Sequence, residues 1–544
     1  MLAKLFLNRE SVVRALLAVC GGLLLSAGFP GVGLAGAAWI GPGVLLCAGF
    51  GCGGKRAFAL GYLGGLAHFL STLYWLVSIP YTFHGVPLGP GFGWLALSGY
   101  CALYPAVWVW LCWRVWPPRR IEVSFGLAKA LDRFYGTSAL ERGRWAFCAG
   151  LIWVALEMAR GRVLTGFPWN FLGVSQYQML PMIQIAAFTG VYGVSFMMVW
   201  TSVGLALALV ALTRKPGRGV WAEAGLPLLA AVGVGVFGAN KVLSIPLAKE
   251  ELKVALVQPD LPPSWTTQEE DAGFDKLLAV SAKALGEKPD LLVWPEGGMG
   301  LATKEHLDEV TKLLAGHRVW LLACADVSEE ATPGQEEDFN SALLFNPGGG
   351  MEGVYHKKRL VIFGEYVPSW LGFLRWVTPI NGGFTPGKEA VTFNLKHPEA
   401  QVSTLICFED TFPEEGREHV NAGTDFLVNL TDDGWFGNGT ELWQHAANAV
   451  FRAVENGVPL VRCTNTGLTC WIDAQGRIRE VFRTSGQVTG EGFILVDIPL
   501  RLPGEEGRTF YNRKGDWFGW SCCAASLALL AGTFRPRGDL RDAG

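Results

Sequence analysis

The chain has 544 residues, half of them hydrophobic, with 22 tryptophans, 17% charged residues and a mean hydropathy of +0.28. That excludes an ordinary soluble protein, in which about a quarter of the residues are charged. The net charge of −3 points to no class of partner, and no nucleic-acid partner is expected. The 12 cysteines are too dispersed for a disulfide framework and no metal-ligand spacing stands out, so neither a metal nor a cofactor is expected.

Hydrophobic runs dominate the first part. They cover residues 12–29, 35–50, 57–78, 92–115, 146–158, 183–212 and 224–243, with one more, 517–534, near the C-terminus. Most approach the ~20 residues that cross a bilayer, which makes about eight spans. The run at 146–158 is short and must extend through Arg160 or start earlier. The first run follows Lys4 and Arg9 and reads as an uncleaved span, because no small-residue cleavage site precedes a polar domain.

Basic residues orient these spans. Lys55 and Arg56, then Arg119, Arg120, Lys129, Arg133, Arg142 and Arg144, then Arg214, Lys215 and Arg218 fall on one side, joined by Arg535, Arg537 and Arg541. Loops 31–34 and 84–91 on the other side carry no Lys or Arg. Arg160 and Arg162 are the exceptions. With the N-terminus in the cytoplasm, seven spans put the polar segment after Leu243 outside it.

The basic loop 117–144 reads as containing a short surface helix. Just beyond it, Glu157 and Arg160 are spaced to pair on one helix face. They are either functional, as ionisable residues within a span, or a structural anchor with Trp169 and Tyr177 at the headgroup level.

From Leu252 charge rises and the apolar runs shorten to strand length. Strands are expected at 253–258, 291–294, 319–325, 342–345, 402–406, 426–430, 460–463 and 493–496. Helices at 269–285, 304–314, 414–422 and 442–455 alternate with them, the pattern of an α/β domain.

Within this domain the run Val402-Ser403-Thr404-Leu405-Ile406 ends on Cys407, followed by Phe408 and the acids Glu409 and Asp410. A thiol at a strand terminus can reach a cleft from a rigid backbone, which suits a nucleophile. A buried cysteine is more often simply a small core residue. A nucleophilic thiol needs a base for its proton and a cation to favour its charge. Leu291-Leu292-Val293-Trp294-Pro295-Glu296 ends an apolar strand on one carboxylate, and His356-Lys357-Lys358-Arg359 supplies cations ahead of Glu365. Taken singly, Glu296 fits a helix cap and Lys357 a solvated lysine at least as well.

Together and in this order, Glu296, Lys357 and Cys407 resemble the Glu-Lys-Cys set of the nitrilase superfamily. The match is closer to its apolipoprotein N-acyltransferase branch. The motifs are Trp294-Pro295-Glu296, the run from Lys357 to Pro368, Ile406-Cys407-Phe408-Glu409, Trp435-Phe436-Gly437 and Trp443-Gln444-His445. Ile362 stands where that family usually has proline, and Asp432-Asp433 where Asn-Asp is commoner. The stretch from Leu156 through Arg160 to Trp169 resembles a further family motif.

This resemblance implies a multi-span α-helical membrane domain at 1–248, a nitrilase-like four-layer αββα sandwich at 249–505, and a C-terminal span with a short tail at 506–544. It implies a ping-pong acyltransferase of the bacterial inner membrane, with its catalytic domain on the periplasmic side. The donor would be a phospholipid and the acceptor the N-terminal amine of a diacylglyceryl-cysteine lipoprotein. Glu296 would be the base and Cys407 the thioester-forming nucleophile. Lys357, with the backbone N–H of Phe408, would hold the oxyanion. Glu365 would fix Lys357, Glu409 would support the pocket, and Trp265 would contribute to the active site. A monomer is expected.

Residues 366–377 are too aromatic for a solvated loop. They read as an arm dipping into the bilayer surface through Trp370, Phe373, Leu374 and Trp376, with domain core as the alternative. Cys463 and Cys470 read as core residues or as a possible disulfide. Two other functions remain: a membrane-tethered amidase using the same residues on a soluble amide, and a transporter with an external binding domain. Seven preceding spans and the apolar arm weigh against the first. The absence of an internal repeat and the scarcity of intramembrane charge weigh against the second.

Overall fold

The computed structural model describes residues 9–79, 88–115, 127–214, 220–244, 250–262, 267–377, 383–437, 439–502 and 507–534. The N-terminal half is helical: α1 Arg9–Ala27, α2 Ala35–Ala38, α3 Gly41–Ala48, α4 Gly54–Thr72, α5 Gly89–Arg114, α6 Leu127–Tyr135, α7 Ala139–Arg160, α8 Leu180–Ile183, α9 Ala186–Thr189, α10 Val191–Arg214 and α11 Val220–Leu243. Among the described residues, four segments are long and apolar enough to cross a membrane: Arg9–Ala27, Gly89–Arg114, Val191–Leu212 and Glu223–Leu243. Small residues let these helices approach closely. A Cβ on Gly22 of α1 would strike the carbonyl oxygen of Gly64 in α4.

Three expected elements take a different form. The run at 35–50 is broken into α2 and α3 around Trp39 and Ile40. The run at 183–212 is interrupted at Gly190, whose φ of +66° divides α9 from α10; a side chain there would collide with Tyr511. The short run at 146–158 lies inside the 22-residue α7, which starts early because Ser138 and Glu141 form a reciprocal capping box. The surface helix expected within 117–144 is α6.

The second half contains β1 Glu251–Gln258, β2 Leu291–Val293, β3 Trp320–Thr332, β4 Gln335–Phe345, β5 Met351–His356, β6 Thr392–Lys396, β7 Glu399–Ile406, β8 Phe426–Thr431, β9 Leu460–Thr464, β10 Cys470–Ile472, β11 Ile478–Val481 and β12 Gly492–Pro499. They form two six-stranded sheets, ordered β12-β1-β2-β3-β4-β5 and β11-β10-β9-β8-β7-β6. At the centre of each, three strands run parallel: β1, β2 and β3 in one, β7, β8 and β9 in the other. The flanking strands are antiparallel.

Alternation along the strands sorts side chains between layers. Val254 and Leu256 of β1 enter a core between the sheets with Val402, Ile406, Val428 and Cys463. Ala255 and Val257 face outward to pack with Phe274 and Leu277 of α12 Thr267–Leu285 and Val310 and Leu314 of α13 Lys304–Leu314. After α14 Pro413–Glu418, the helix covering the other sheet is α15 Glu441–Asn456, in which every residue except Trp443 is buried. Its alanines belong to one continuous core with helices of the N-terminal half. This outer layer of the sandwich is therefore also its seam with the membrane region. The chain ends in α16 Phe510–Lys514 and the apolar α17 Trp517–Phe534, which packs against α7. All 12 cysteines are free, and the Cys463 thiol donates to the Val257 and Val293 carbonyls, 3.3 Å away in each case. Cys463 and Cys470 are core residues and not a disulfide.

Candidate active site

Parallel strands open a crevice at their carboxyl ends. Glu296 follows β2, Lys357 follows β5, Cys407 follows β7 and Asp432 follows β8. Cys407 takes a left-handed φ of +51° and opens the tight turn Cys407–Thr411. A non-glycine residue in that region is strained and persists only where its surroundings hold it. Glu409 is a large part of those surroundings. Its carboxylate accepts the Ile406 N–H at 2.7 Å, the Tyr355 hydroxyl at 2.8 and 2.9 Å, and the N–H groups of Lys358 at 2.7 Å and Arg359 at 3.1 Å. It laces the cysteine turn to the loop bearing Lys357. Burial pushes Glu409 up to about 7, against the pull of these donors. The Cys407 carbonyl accepts from Asn429 Nδ2 at 3.0 Å and lies 3.2 Å from His445 Nε2.

Lys357 is 1% exposed. Its Nζ donates to Glu296 Oε1 at 2.9 Å and to Glu365 Oε1 at 2.7 Å. Asn340, on β4, bridges the same two oxygens with Nδ2, at 2.8 and 3.1 Å. The other oxygen of Glu296 accepts the Asp432 N–H at 3.2 Å, and that of Glu365 accepts the Val361 N–H at 2.7 Å. Burial opposes the charge on Lys357, but Glu296 and Glu365 outweigh it and hold the amine well above its ordinary range. Burial and the Glu296 charge push the Cys407 thiol well up, while Lys357 and the Thr431 hydroxyl pull it down. The resting group is the protonated thiol. Asp432 rises to about 7, through burial and despite the Gly434 N–H, with Glu296 adding to the rise.

Behind Cys407 lies a buried charged set. His445 faces Asp410 through Nε2 at 2.9 Å and Asp433 through Nδ1 at 2.8 Å. Arg462 joins the same two acids at 2.6 and 3.2 Å. Burial disfavours a charged imidazole, yet Asp410 and Asp433 raise His445 to about 10. Asp433, Glu441 and His445 bring ligand-type atoms within 4.8 Å of one another. The two cations already balance Asp410 and Asp433, and an imidazolium offers no lone pair. Burial pushes Glu441 well above the usual carboxylate range, with the Asp433 charge adding to the rise, which disfavours a third anion there. The set is better suited to bracing the Cys407 carbonyl than to holding a metal.

The wall beside Cys407 comes from the membrane region. The Phe408 ring lies 6.3 Å from both Phe167 and Trp169. Leu164, Thr165 and Asn170 all have positive φ without being glycine, so the loop carrying these aromatics is strained. Arg160 holds it by donating to the carbonyls of Phe167 at 3.1 Å, Trp169 at 2.7 Å and Asn170 at 3.3 Å. Glu157 accepts from Leu172 N at 2.7 Å and Trp153 Nε1 at 2.9 Å. Glu157 and Arg160 are therefore not an ion pair: Arg160 is spent on the loop, and Glu157 on Leu172 just after it and on Trp153 of its own helix. Trp169 and Tyr177, expected at the headgroup level, are buried.

The arm is a kinked 3-10 segment, Ser369–Val377, in which Trp370 is 58% and Phe373 68% exposed. Trp265 lies outside the described residues, as does the side chain of Trp376. Asn340, Tyr355, Asn429 and the roles of Gln444 and His445 were not foreseen. Gln444 and His445 lay within a motif, whereas Asn340 and Tyr355 look like ordinary strand residues.

Residues 21–204 match the family model described as the apolipoprotein N-acyltransferase N-terminal domain, and residues 253–502 match that of the carbon-nitrogen hydrolases. An apolipoprotein N-acyltransferase of Geobacter metallireducens is 36% identical over 96% of this chain and 95% of its own length. One from Rhizobium rhizogenes is 31% identical over 78% of this chain and 77% of its own. Among solved structures, an amidase from Nesterenkonia is 18% identical and covers 47% of this chain and 93% of its own, with a TM-score of 0.34.

Proposed function

Because the chain belongs to the apolipoprotein N-acyltransferase family, we propose that Cys407 carries an acyl chain from a membrane phospholipid to the N-terminal amine of a diacylglyceryl-cysteine lipoprotein. The observation that carries this reading is the hydrogen-bonded set of Glu296, Lys357, Glu365 and Asn340, of which Glu296 and Lys357 act electrostatically, with opposite signs, on the buried Cys407 thiol.

Glu296 takes the thiol proton, and the Cys407 sulfur attacks an ester carbonyl of the phospholipid. Lys357, kept cationic by two carboxylates, faces the oxyanion with the Phe408 N–H and does not surrender its proton. The ester C–O bond breaks, the leaving alkoxide takes the proton back from Glu296, and a thioester remains. In the second half the lipoprotein's neutral α-amine attacks that thioester. Glu296 receives the amine proton, the amide forms, and the Cys407 thiolate leaves to be reprotonated. Glu365 and Asn340 hold Lys357 and Glu296 in position throughout; Glu409 holds the backbone of the turn.

A phospholipid donor is supported by the exposed Trp370 and Phe373 on the arm and by the apolar wall at Phe408. The Lys and Arg distribution among the loops supports a catalytic domain on the periplasmic side of the inner membrane. The test is transfer of a labelled acyl chain from phospholipid to a diacylglyceryl-cysteine peptide: product from the native chain and none from Cys407→Ala supports the reading, and product from both refutes it.

A further inference from the structure

Cations on the catalytic-domain side of the membrane region run against the charge bias of the loops, and Arg162 is one of them. Arg160 is accounted for by the carbonyls it holds. Arg162 instead lines an open cavity of about 510 Å3 between the end of α7 and the start of α17. Arg359, Arg417, Arg513 and Lys514 line the same cavity, five basic residues against two acids, Glu414 and Asp516. Both acids are committed: Asp516 pairs with Arg162 and accepts the Tyr511 hydroxyl at 2.6 Å, and Glu414 lies 3.7 Å from Arg162 and from Arg359. Lys514 is exposed and makes no ion pair among the described residues.

We propose that this cavity binds the phosphate of an anionic membrane lipid. Arg359 also pairs with Glu415 at 2.7 Å and Arg417 lies 3.7 Å from Glu418, but with Lys358, which contacts both of those acids, six cations still face four carboxylates. That surplus calls for an anion, and its place calls for a lipid. Trp517 and Trp520, 41% and 57% exposed, stand at the head of α17, where an aromatic belt meets headgroups. The Arg162 guanidinium sits 5.3 Å from the Trp520 ring centroid, so phosphate on the cations would leave acyl chains running down the apolar face of α17. Zwitterionic lipid is the poorer fit, because its ammonium group would be held among the cations that line the cavity. The cavity also adjoins the reaction site. Arg359 lies over the Phe412 ring at 5.1 Å, and Phe412 meets Phe408 edge-on at 5.1 Å.

The inference rests on the chain lying in a membrane and not on chemistry at Cys407, so binding is measured in full-length Cys407→Ala. Native mass spectrometry follows lipid retention from micelles holding phosphatidylglycerol and phosphatidylcholine in equal amounts. The expected result is a preference for phosphatidylglycerol of about tenfold or more, since two basic groups near a headgroup each contribute appreciably. Arg417→Gln with Lys514→Gln should abolish that preference, and Arg417→Lys with Lys514→Arg should restore it in a protein of the same melting temperature. Equal retention of the two lipids, or a preference that survives the glutamine pair, overturns the proposal. Displacement of phosphatidylglycerol by inorganic phosphate, at an ionic strength matched with sodium chloride, would assign the cavity to free phosphate and overturn the lipid assignment.

Discussion

Gln444, on the buried helix α15, holds its side-chain oxygen 2.9 Å from the indole nitrogen of Trp169, 275 residues earlier in the chain. The same oxygen accepts from Asn170 at 3.1 Å and Trp75 at 3.3 Å, and its amide nitrogen donates to the Thr72 carbonyl at 3.1 Å. One side chain thus fastens the catalytic sandwich to the membrane helices beside the aromatic wall. Gln444→Leu would strand three buried donors, each costing about 1–3 kcal/mol. The variant should melt well below the native protein in detergent and transfer lipid poorly. An unchanged melting temperature would show that the seam is held elsewhere.

Glu296 and Lys357 should fail differently. Glu296→Gln keeps the shape of the pocket without a base, so acyl-enzyme formation should stall with lipid still bound. Lys357→Ala removes the cation facing the oxyanion and should slow transfer by about a hundredfold or more. Lys358 pairs outward with Glu415 at 2.9 Å and Glu418 at 2.8 Å, so Lys358→Ala should be mild. Single-turnover kinetics on the three variants checks this, and equal damage at Lys357 and Lys358 would contradict the assignment.

Much of this was legible in the sequence because strand ends and short-range motifs carry it. Leu291–Val293 leads to Glu296 and Val402–Ile406 to Cys407, and both runs are apolar enough to read as buried strands. Contacts between distant segments were not legible. Glu157 and Arg160 have the spacing of a pair, yet the strained loop at 164–170 offers Arg160 its carbonyls and Leu172, just beyond it, offers Glu157 an N–H, partners that spacing cannot reveal. Gly190 broke a continuous apolar run because its neighbour is Tyr511, more than 300 positions away. Glu409 read as a support for the pocket, but the four donors around its buried carboxylate lie in segments whose meeting the sequence does not show.

The His445 set should give stability a marked pH dependence. Its folded value, about 10, lies above the ordinary 6.5, so its stabilisation is fully present below 6.5 and is lost as pH rises toward 10. Melting temperatures of the native chain should fall across that window more steeply than those of His445→Gln. At pH 6 the variant should already be less stable, by about 3–5 kcal/mol for a broken buried pair. Parallel pH curves would rule out a charged His445.

The arm should govern access of lipid without touching the chemistry. Burying Trp370 and Phe373 in the bilayer favours docking by roughly 1.5–3 kcal/mol each. Trp370→Ser with Phe373→Ser should reduce turnover of phospholipid in vesicles. Alkylation of Cys407 by a small soluble thiol reagent should change little. Equal loss of both rates would mean that the segment is domain core.

The orientation follows from the loop charges. Reporter fusions after Arg218 and Gly544 should score cytoplasmic and one after Lys253 periplasmic. A cytoplasmic signal at Lys253 would overturn the placement of the catalytic domain.

The most direct test of the account is the mass of the intact protein after incubation with phospholipid and no acceptor. The native chain should gain one acyl group, located by peptide mapping to Cys407, and should lose it when a diacylglyceryl-cysteine peptide is added. The adduct should be absent from Cys407→Ala and present in Cys463→Ala and Cys470→Ala. An acyl group found on another residue, or product formed by Cys407→Ala, would contradict it.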